Sequence, residues 1–424
     1  MTSVSGVRVV FTVCAASLLS GCSGELEKAM QASRELGRVE ALSPPEPPAG
    51  AMGTALYVDP TESVRGFAAC GREGQQPSPY TLVLQRTARL ISATEVVYFG
   101  QRTRPDTISF QRVPATGELG CPGPLNWQNN PDFALHSAIR ADTLHDLSIY
   151  LTDGVLSDVD GVLPTRSARE LRDWLAEGNQ FAVVAFRGSF RGRFWSEERQ
   201  RMLPSPMEVP DRPFYLFVFS RTGPRLDEFL DGVAAFAGDL DLVGIARFGG
   251  GVRCDVQTTG TLLRRLDANQ WLAVRLGRDG IEVPLTFNCR TPRHWVLAEI
   301  SLTPTLEYWR WVTRRFNEAD RPRDGVRIDD LRIAVDGRGA SGTGRSVLEL
   351  QDDVGARFGH YNVSFAAGAG SVPAWLTELY GESDGSLGEL NRTYRLGWVF
   401  EGLVSDELAR QGVVSRFRFM AQYP

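Results

Sequence analysis

From Gly53 onward the apolar residues alternate between short continuous runs and stretches with helical spacing. Residues 55–58 form an apolar run that ends at Asp59, residues 80–90 have helical spacing, and residues 95–99 form a second run. A third run, 147–151, ends near Asp153, and two more lie at 181–186 and 214–219. Helical spacing returns at 131–139 and at 168–175, where Ser167 is a candidate N-cap and Gly178 a candidate stop. Strands without polar interruption, alternating with helices, predict a mostly parallel sheet with helices on both faces.

The texture changes after residue 225. One helix is expected at 226–236. Short β-like runs follow at 242–248, 271–276, 281–287, 295–302, 326–335, 361–365 and 415–420, separated by turn-rich stretches such as 337–342. That spacing predicts a β-rich unit, either a sandwich or an α+β arrangement. Neither period wins at 305–316, so strand and helix both stay open there. The aromatic stripe within it, Tyr308-Trp309-Arg310-Trp311, reads as core or interface before it reads as a carbohydrate platform.

The start of the chain has a different pattern. Arg8 precedes an apolar run from Val9 to Leu19. The run is too short for a bilayer span, which takes roughly 20 residues, and fits a signal peptide. Its end, Leu19-Ser20-Gly21-Cys22, resembles a bacterial lipobox. That resemblance implies lipidation of Cys22, cleavage before it, and a soluble body held at the cell envelope. Ser23 in place of Asp implies the outer membrane if the source is Gram-negative. Residues 23–52 then read as a loose helix (Leu26, Met30, Leu36, Val39) and a Pro-rich spacer at 43–48. The expected organisation is thus 1–22 signal, 23–52 tether, 53–225 α/β domain and 226–424 β-rich domain.

Composition narrows the function. The chain of 424 residues is 42% hydrophobic with a net charge of −5, which gives no global pull toward nucleic acid or anionic lipid. Lys28 is the only lysine among 46 basic residues. Beyond Cys14 and Cys22, four cysteines remain. In an oxidising compartment they predict two disulfides; of the three possible pairings Cys70–Cys121 with Cys254–Cys289 is favoured because each pair lies within one proposed domain, and four buried free thiols are the alternative. Four His are scattered, and there is no HExxH, GxSxG or Walker loop, so catalysis has no recognised constellation. The cluster Phe248-Gly249-Gly250-Gly251 reads as a turn.

Two acids lie where an open α/β sheet binds ligands, beyond the carboxyl ends of strands: Asp59 and Asp153. With Thr61 and Ser63 they resemble the D-x-S-x-S motif and second Asp of a von Willebrand factor A-type domain, over about residues 53–222. The resemblance implies a metal site of Asp59, Thr61, Ser63 and Asp153 holding Mg2+, with Mn2+ or Ca2+ as alternatives. A hard dication in such a loop takes oxygen ligands and would leave a position for a partner's carboxylate. Thr replaces the first Ser, Pro60 stiffens the loop, and the family's separate metal-binding Thr has no clear counterpart, Thr107 and residues 129–132 being the candidates. The acidic stretch 153–161 reads as a solvated turn. The stretch 187–193 reads as a Gly-rich loop or as a basic grip on a partner's acids. The expectation is a non-enzymatic, membrane-anchored binding or assembly protein with a protein partner in the envelope. Its rivals are a metal-dependent envelope hydrolase and a structural lipoprotein.

Overall fold

The computed structural model describes residues 19–36, 53–59, 62–68, 77–93, 95–104, 107–114, 145–155, 165–199, 201–203, 207–258, 263–267, 270–273, 281–318, 326–328, 331–334, 342–350 and 357–423. The helix expected at 131–139 and the pair Cys70 and Cys121 lie outside them.

The first sheet takes seven strands: β1 (Thr54–Val58), β2 (Glu95–Arg104), β3 (Thr107–Pro114), β4 (Leu147–Thr152), β5 (Gln180–Gly192), β8 (Met207–Ser220) and β9 (Leu242–Phe248). Two short strands, β6 (Trp195–Ser196) and β7 (Arg201–Met202), make a separate hairpin between β5 and β8. The spatial order is β3-β2-β1-β4-β8-β5-β9. Only β1 pairs in parallel, with β2 and β4; the other pairings are antiparallel. The mostly parallel, von Willebrand factor A-like sheet read from the sequence is therefore incorrect.

The physical reason is visible in β5 and β8, which form a long antiparallel ribbon from Gln180↔Ser220 to Gly192↔Met207. Residues 181–186 and 214–219 are apolar without a break because both faces of this sheet are covered, and burial does not encode strand direction. One face packs Val184, Phe186, Leu216 and Val218 under helices Glu62–Ala68, Pro79–Leu90 and Gly223–Phe236. The other packs Phe181, Val183, Phe217 and Phe219 under helices Thr165–Ala176 and Leu396–Gln411. Strand β9, beyond residue 225, closes the edge of this same sheet. The stretch 187–193 is largely strand rather than loop, with Arg191 pairing Glu208 across the ribbon at 2.7 Å.

Most of the remaining strands form two further sheets. One has β10 (Arg253–Thr258), β13 (Ile281–Arg290), β16 (Val326–Ile328) and β18 (Gly342–Leu350), all antiparallel. The other has β11 (Leu263–Asp267), β12 (Gln270–Ala273), β14 (Glu299–Val312), β15 (Arg315–Glu318), β17 (Leu331–Ala334), β19 (Phe358–Ser371) and β22 (Val413–Gln422). They share a core, with Phe287 of β13 edge-on to Phe365 of β19 at 4.7 Å. Cys254 and Cys289 face each other across β10 and β13 and are disulfide-bonded. A two-stranded ladder, β20 (Tyr380–Gly381) with β21 (Thr393–Tyr394), leads into helix Leu396–Gln411. Inside that helix Glu407 is 1% exposed and takes hydrogen bonds from Gly249 N, Trp295 Nε1, Arg410 and Gln411. Gly249 and Gly250 turn there at φ +85° and +81°, as a turn made of glycines allows. Glu407 thus fastens the C-terminal helix to the end of β9.

The open stretch 305–316 is strand on both sides of a tight turn, and alternation explains its aromatic stripe. Tyr308 faces the core shared with the first sheet beside Tyr361, whereas Trp309 and Trp311 face the opposite way. That second face is covered by helix Leu19–Leu36, through Leu26, Ala29 and Met30 against Trp311, Phe358 and Met420. Ser33 of the helix sits 2.7 Å from His360 Nδ1, and the His360 ring lies against Trp309 and Phe316. No helix among the described residues is long and apolar enough to cross a membrane.

Burial, and after it the charge of Arg418, lowers the His360 pKa to about 4. An unfolded histidine titrates near ~6.5, so below that pH the unfolded chain binds a proton that the fold refuses. The stability of the helix-capped sheet should therefore be level above pH ~6.5 and fall by about 3 kcal/mol down to pH ~4 from this group alone. Urea unfolding across that range should show this loss, and His360→Asn should flatten it; an unchanged slope in the variant would refute the assignment.

Candidate functional site

Strands β1 and β4 lie side by side in parallel register, Val58↔Leu151, so Asp59 and Asp153 leave the same edge of the sheet. The local geometry is fixed by the backbone. Asp59 N donates to Leu151 O at 2.9 Å, and Thr152 Oγ1 donates to Asp59 Oδ2 at 2.9 Å. Gly154 turns at φ +72° and donates its N–H to Thr152 Oγ1 at 3.1 Å. A Cβ at Gly154 would stand 2.8 Å from the Tyr215 ring, so glycine is required there on two counts. The structure brings together two of the four residues read as metal ligands. Thr61 and the Ser63 side chain lie outside the described residues; the backbone of Ser63 belongs to helix Glu62–Ala68. Thr107 opens β3, two strands away from β1.

Both carboxylates are buried, Asp59 at 2% exposure and Asp153 at 0%. A buried carboxylate needs a positive partner and hydrogen bonds, and Asp153 has both. Arg212, at the start of the apolar part of β8, donates Nη2 to Asp153 Oδ2 at 2.9 Å, and Val155 N donates to Oδ1 at 3.2 Å. The guanidinium is itself enclosed by rings: Phe194 at 4.2 Å, Phe190 at 4.8 Å and Phe67 at 5.6 Å from centroid to carbon. Cation–π attraction of this kind strengthens when water is excluded. Burial lowers the Arg212 pKa, and the charge of Asp153 opposes that shift. Burial, followed by the charge of Asp59, raises the Tyr80 and Tyr150 hydroxyls well above their ordinary range, so both stay neutral beside the acids.

Of the four residues, Asp59 and Asp153 are described, and these two alone do not make a dication site. Asp153 already spends its charge on Arg212, and a Mg2+ sharing that carboxylate would sit next to a buried guanidinium. Among the described residues no cluster of three His, Cys, Asp or Glu is placed to hold a metal.

The rim is also closed from outside. Thr393 Oγ1 hydrogen-bonds Tyr215 Oη at 2.8 Å and reaches Asp153 O at 3.4 Å, and Leu396 lies against Gly154. Asp384, 1% exposed, accepts from Ser196 Oγ, Glu197 N and Glu198 N, tying the same covering segment to the β6–β7 hairpin. The exposed chemistry is on the cover, not beneath it. Arg395, at φ +55°, has its guanidinium 4.6 Å from the Tyr394 ring and 4.9 Å from the Trp398 ring. Trp398 is 36% exposed, and its Nε1 donates to Glu382 at 3.1 Å. Sequence reasoning missed Arg212, Arg395 and Trp398. Only Arg212 left a trace, as a charge beside an otherwise apolar strand.

If Arg212 is the cation of this rim, divalent ions have nothing to add. The thermal midpoint of the folded chain should be the same in EDTA as in millimolar Mg2+, Mn2+ or Ca2+, since only an ion that binds the native state raises it. A rise of several degrees, lost in Asp59→Ala, would restore the ion site.

The sequence matches no protein-family model and no curated protein. Solved structures similar to part of it include the C-terminal domain of the AgI/II polypeptide BspA of Streptococcus agalactiae. That likeness has 10% identity and a TM-score of 0.16, over 53% of this chain and 90% of that one. The BspA_C_mut structure gives the same identity and score over 52% and 88%. At such scores the likeness carries no argument about fold or function.

Proposed function

We propose that this protein is an extracytoplasmic, lipid-anchored binding or assembly protein that captures a protein partner in the cell envelope through the rim around Trp398. The observation that carries the binding reading is the Tyr394–Arg395–Trp398 stack. Tyr394 is buried beneath, while the exposed Trp398 and half-buried Arg395 are of the residue types that dominate binding energy at protein interfaces. Here they are pre-ordered, because Arg395 N is held by Gly381 O at 3.0 Å within the β20–β21 ladder. A left-handed backbone at a non-glycine residue costs free energy and clusters at functional positions. The closed Asp59–Asp153 rim beneath supports a scaffold role for the acids, so the partner is engaged without an ion.

The cysteines support the proposed compartment. A disulfide between Cys254 and Cys289 persists where thiols oxidise, outside the cytoplasm. Together with the lipobox-like end of the leader, this supports anchoring through Cys22, with the outer membrane as the preferred site.

Three measurements test the reading. The mass of the mature N-terminal peptide should carry diacylglycerol on Cys22, and Cys22→Ala should release the protein from the membrane fraction. Photo-crosslinking from a residue beside Trp398 should give a discrete adduct in envelope preparations. Trp398→Ala should weaken that adduct roughly 30-fold or more, the size of an interface hot spot, without lowering the melting midpoint. Full retention of the adduct in Trp398→Ala would refute the proposed face.

A further inference from the structure

The helix that carries Cys22 is not a free tether, because it lies along the third sheet. Glu25 pairs with Arg357, at the start of β19, and Ser33 meets His360 three residues further on. The helix therefore runs in the direction of β19, with its N-terminal end at the end of the sheet marked by Arg357 and Tyr423. Cys22 lies one turn beyond Glu25, about 4.5 Å along the helix axis.

The turn joining β14 to β15 lies at that same end. Register places Arg310 opposite Gly359, so Val312 is level with Arg357 and the turn residues Thr313 and Arg314 project just past it. Val312 is 43% exposed, and Thr313, Arg314 and Arg315 are exposed as well. Thr313 and Arg314 both take positive φ, +49° and +67°, in a two-residue hairpin turn that ordinarily selects Asn and Gly. Among the described residues, Arg314 and Arg315 have no acidic partner. Lys28, the only lysine of the chain, is exposed on the helix alongside.

We infer that the hairpin tip Val312–Arg315 is the membrane-contacting end of the body, with Arg314 and Arg315 against anionic phospholipid headgroups and Val312 at the interface. The inference rests on the lipid-anchor reading for its orientation: acyl chains on Cys22 bring this end of the sheet to the bilayer. The diacylglycerol expected on Cys22 already supplies two chains, so the basic side chains would orient the body at the surface, each adding to its attraction for anionic lipid. The opposite end of the sheet, where Val413 is 45% exposed, would face away from the membrane. Val413 is level with Ala366, roughly 30 Å from the tip at the rise of a β-strand.

The test uses the mature lipidated protein on vesicles of phosphatidylglycerol and phosphatidylcholine, with an environment-sensitive probe at Val312→Cys or at Val413→Cys. The Val312 probe should be quenched by lipid-borne quencher and shielded from an aqueous one, with the Val413 probe showing the reverse. Arg314→Glu with Arg315→Glu should return the Val312 probe to water. Equal aqueous exposure of both probes, or lipid contact at Val413, would overturn the inference. Protein that lacks the acyl mass would refute the anchor separately. In that case the tip is read by sedimentation with the same vesicles, where the double Glu variant should lose about tenfold or more of the affinity. Unchanged sedimentation of that variant would overturn the tip.

Discussion

The first sheet is organised around one buried charge pair, Arg212 with Asp153. Neither side chain has meaningful contact with water, at 3% and 0% exposure. A pair so placed recovers its desolvation cost only if the remaining hydrogen-bonding capacity is met and the geometry is held. The local architecture holds the geometry, although among the described residues Arg212 Nη1 has no hydrogen-bond acceptor and faces rings instead. Strand β4 supplies the Asp153 turn, the long ribbon of β5 and β8 delivers Arg212 and Phe190, and helix Glu62–Ala68 brings Phe67 over the guanidinium. Gly66 lets that helix come close, since a Cβ there would overlap the Phe190 ring. The C-terminal segment then seals the edge through Thr393 and Leu396.

This constraint explains how the sequence could be read correctly in pieces and wrongly as a whole. Residues 55–58, 147–151, 181–186, 214–219 and 242–248 are strands as their apolar runs predict, and 226–236 is helix. Direction was not legible, because an apolar run records that both faces are covered, and antiparallel ribbons can be covered as fully as parallel ones. The helix Leu396–Gln411 was missed, although it buries Val399, Phe400 and Leu403. Gly397 and Gly402 and the interspersed apolar residues blur its amphipathic stripe, and its key polar residue, Glu407, is buried rather than exposed. The stripe at 308–311 was ambiguous for the opposite reason. Its aromatics serve two faces, one toward the shared core and one toward the N-terminal helix.

The candidate site shows the same division. Asp59 and Asp153 were found from their places after apolar runs, and the structure does put them on one edge of one sheet. Arg212, the charge partner of Asp153, is not legible there, because it lies some 60 positions away in sequence and carries no motif. A motif names ligands by spacing, while the charge state of a buried carboxylate is set by whatever the fold brings to it. Arg395 and Trp398 were invisible for a related reason: their stacking depends on the β20–β21 ladder, which leaves no periodic signal.

A double-mutant cycle on Asp153→Asn and Arg212→Met, read by urea unfolding, tests the central claim most directly. If the pair organises the sheet edge, each single change leaves a buried group without its partner and costs about 3–5 kcal/mol. The double variant should then cost less than the sum of the two, with a coupling above about 2 kcal/mol. Additivity within about 0.5 kcal/mol, or an Asp153→Asn variant as stable as the parent, would contradict the account.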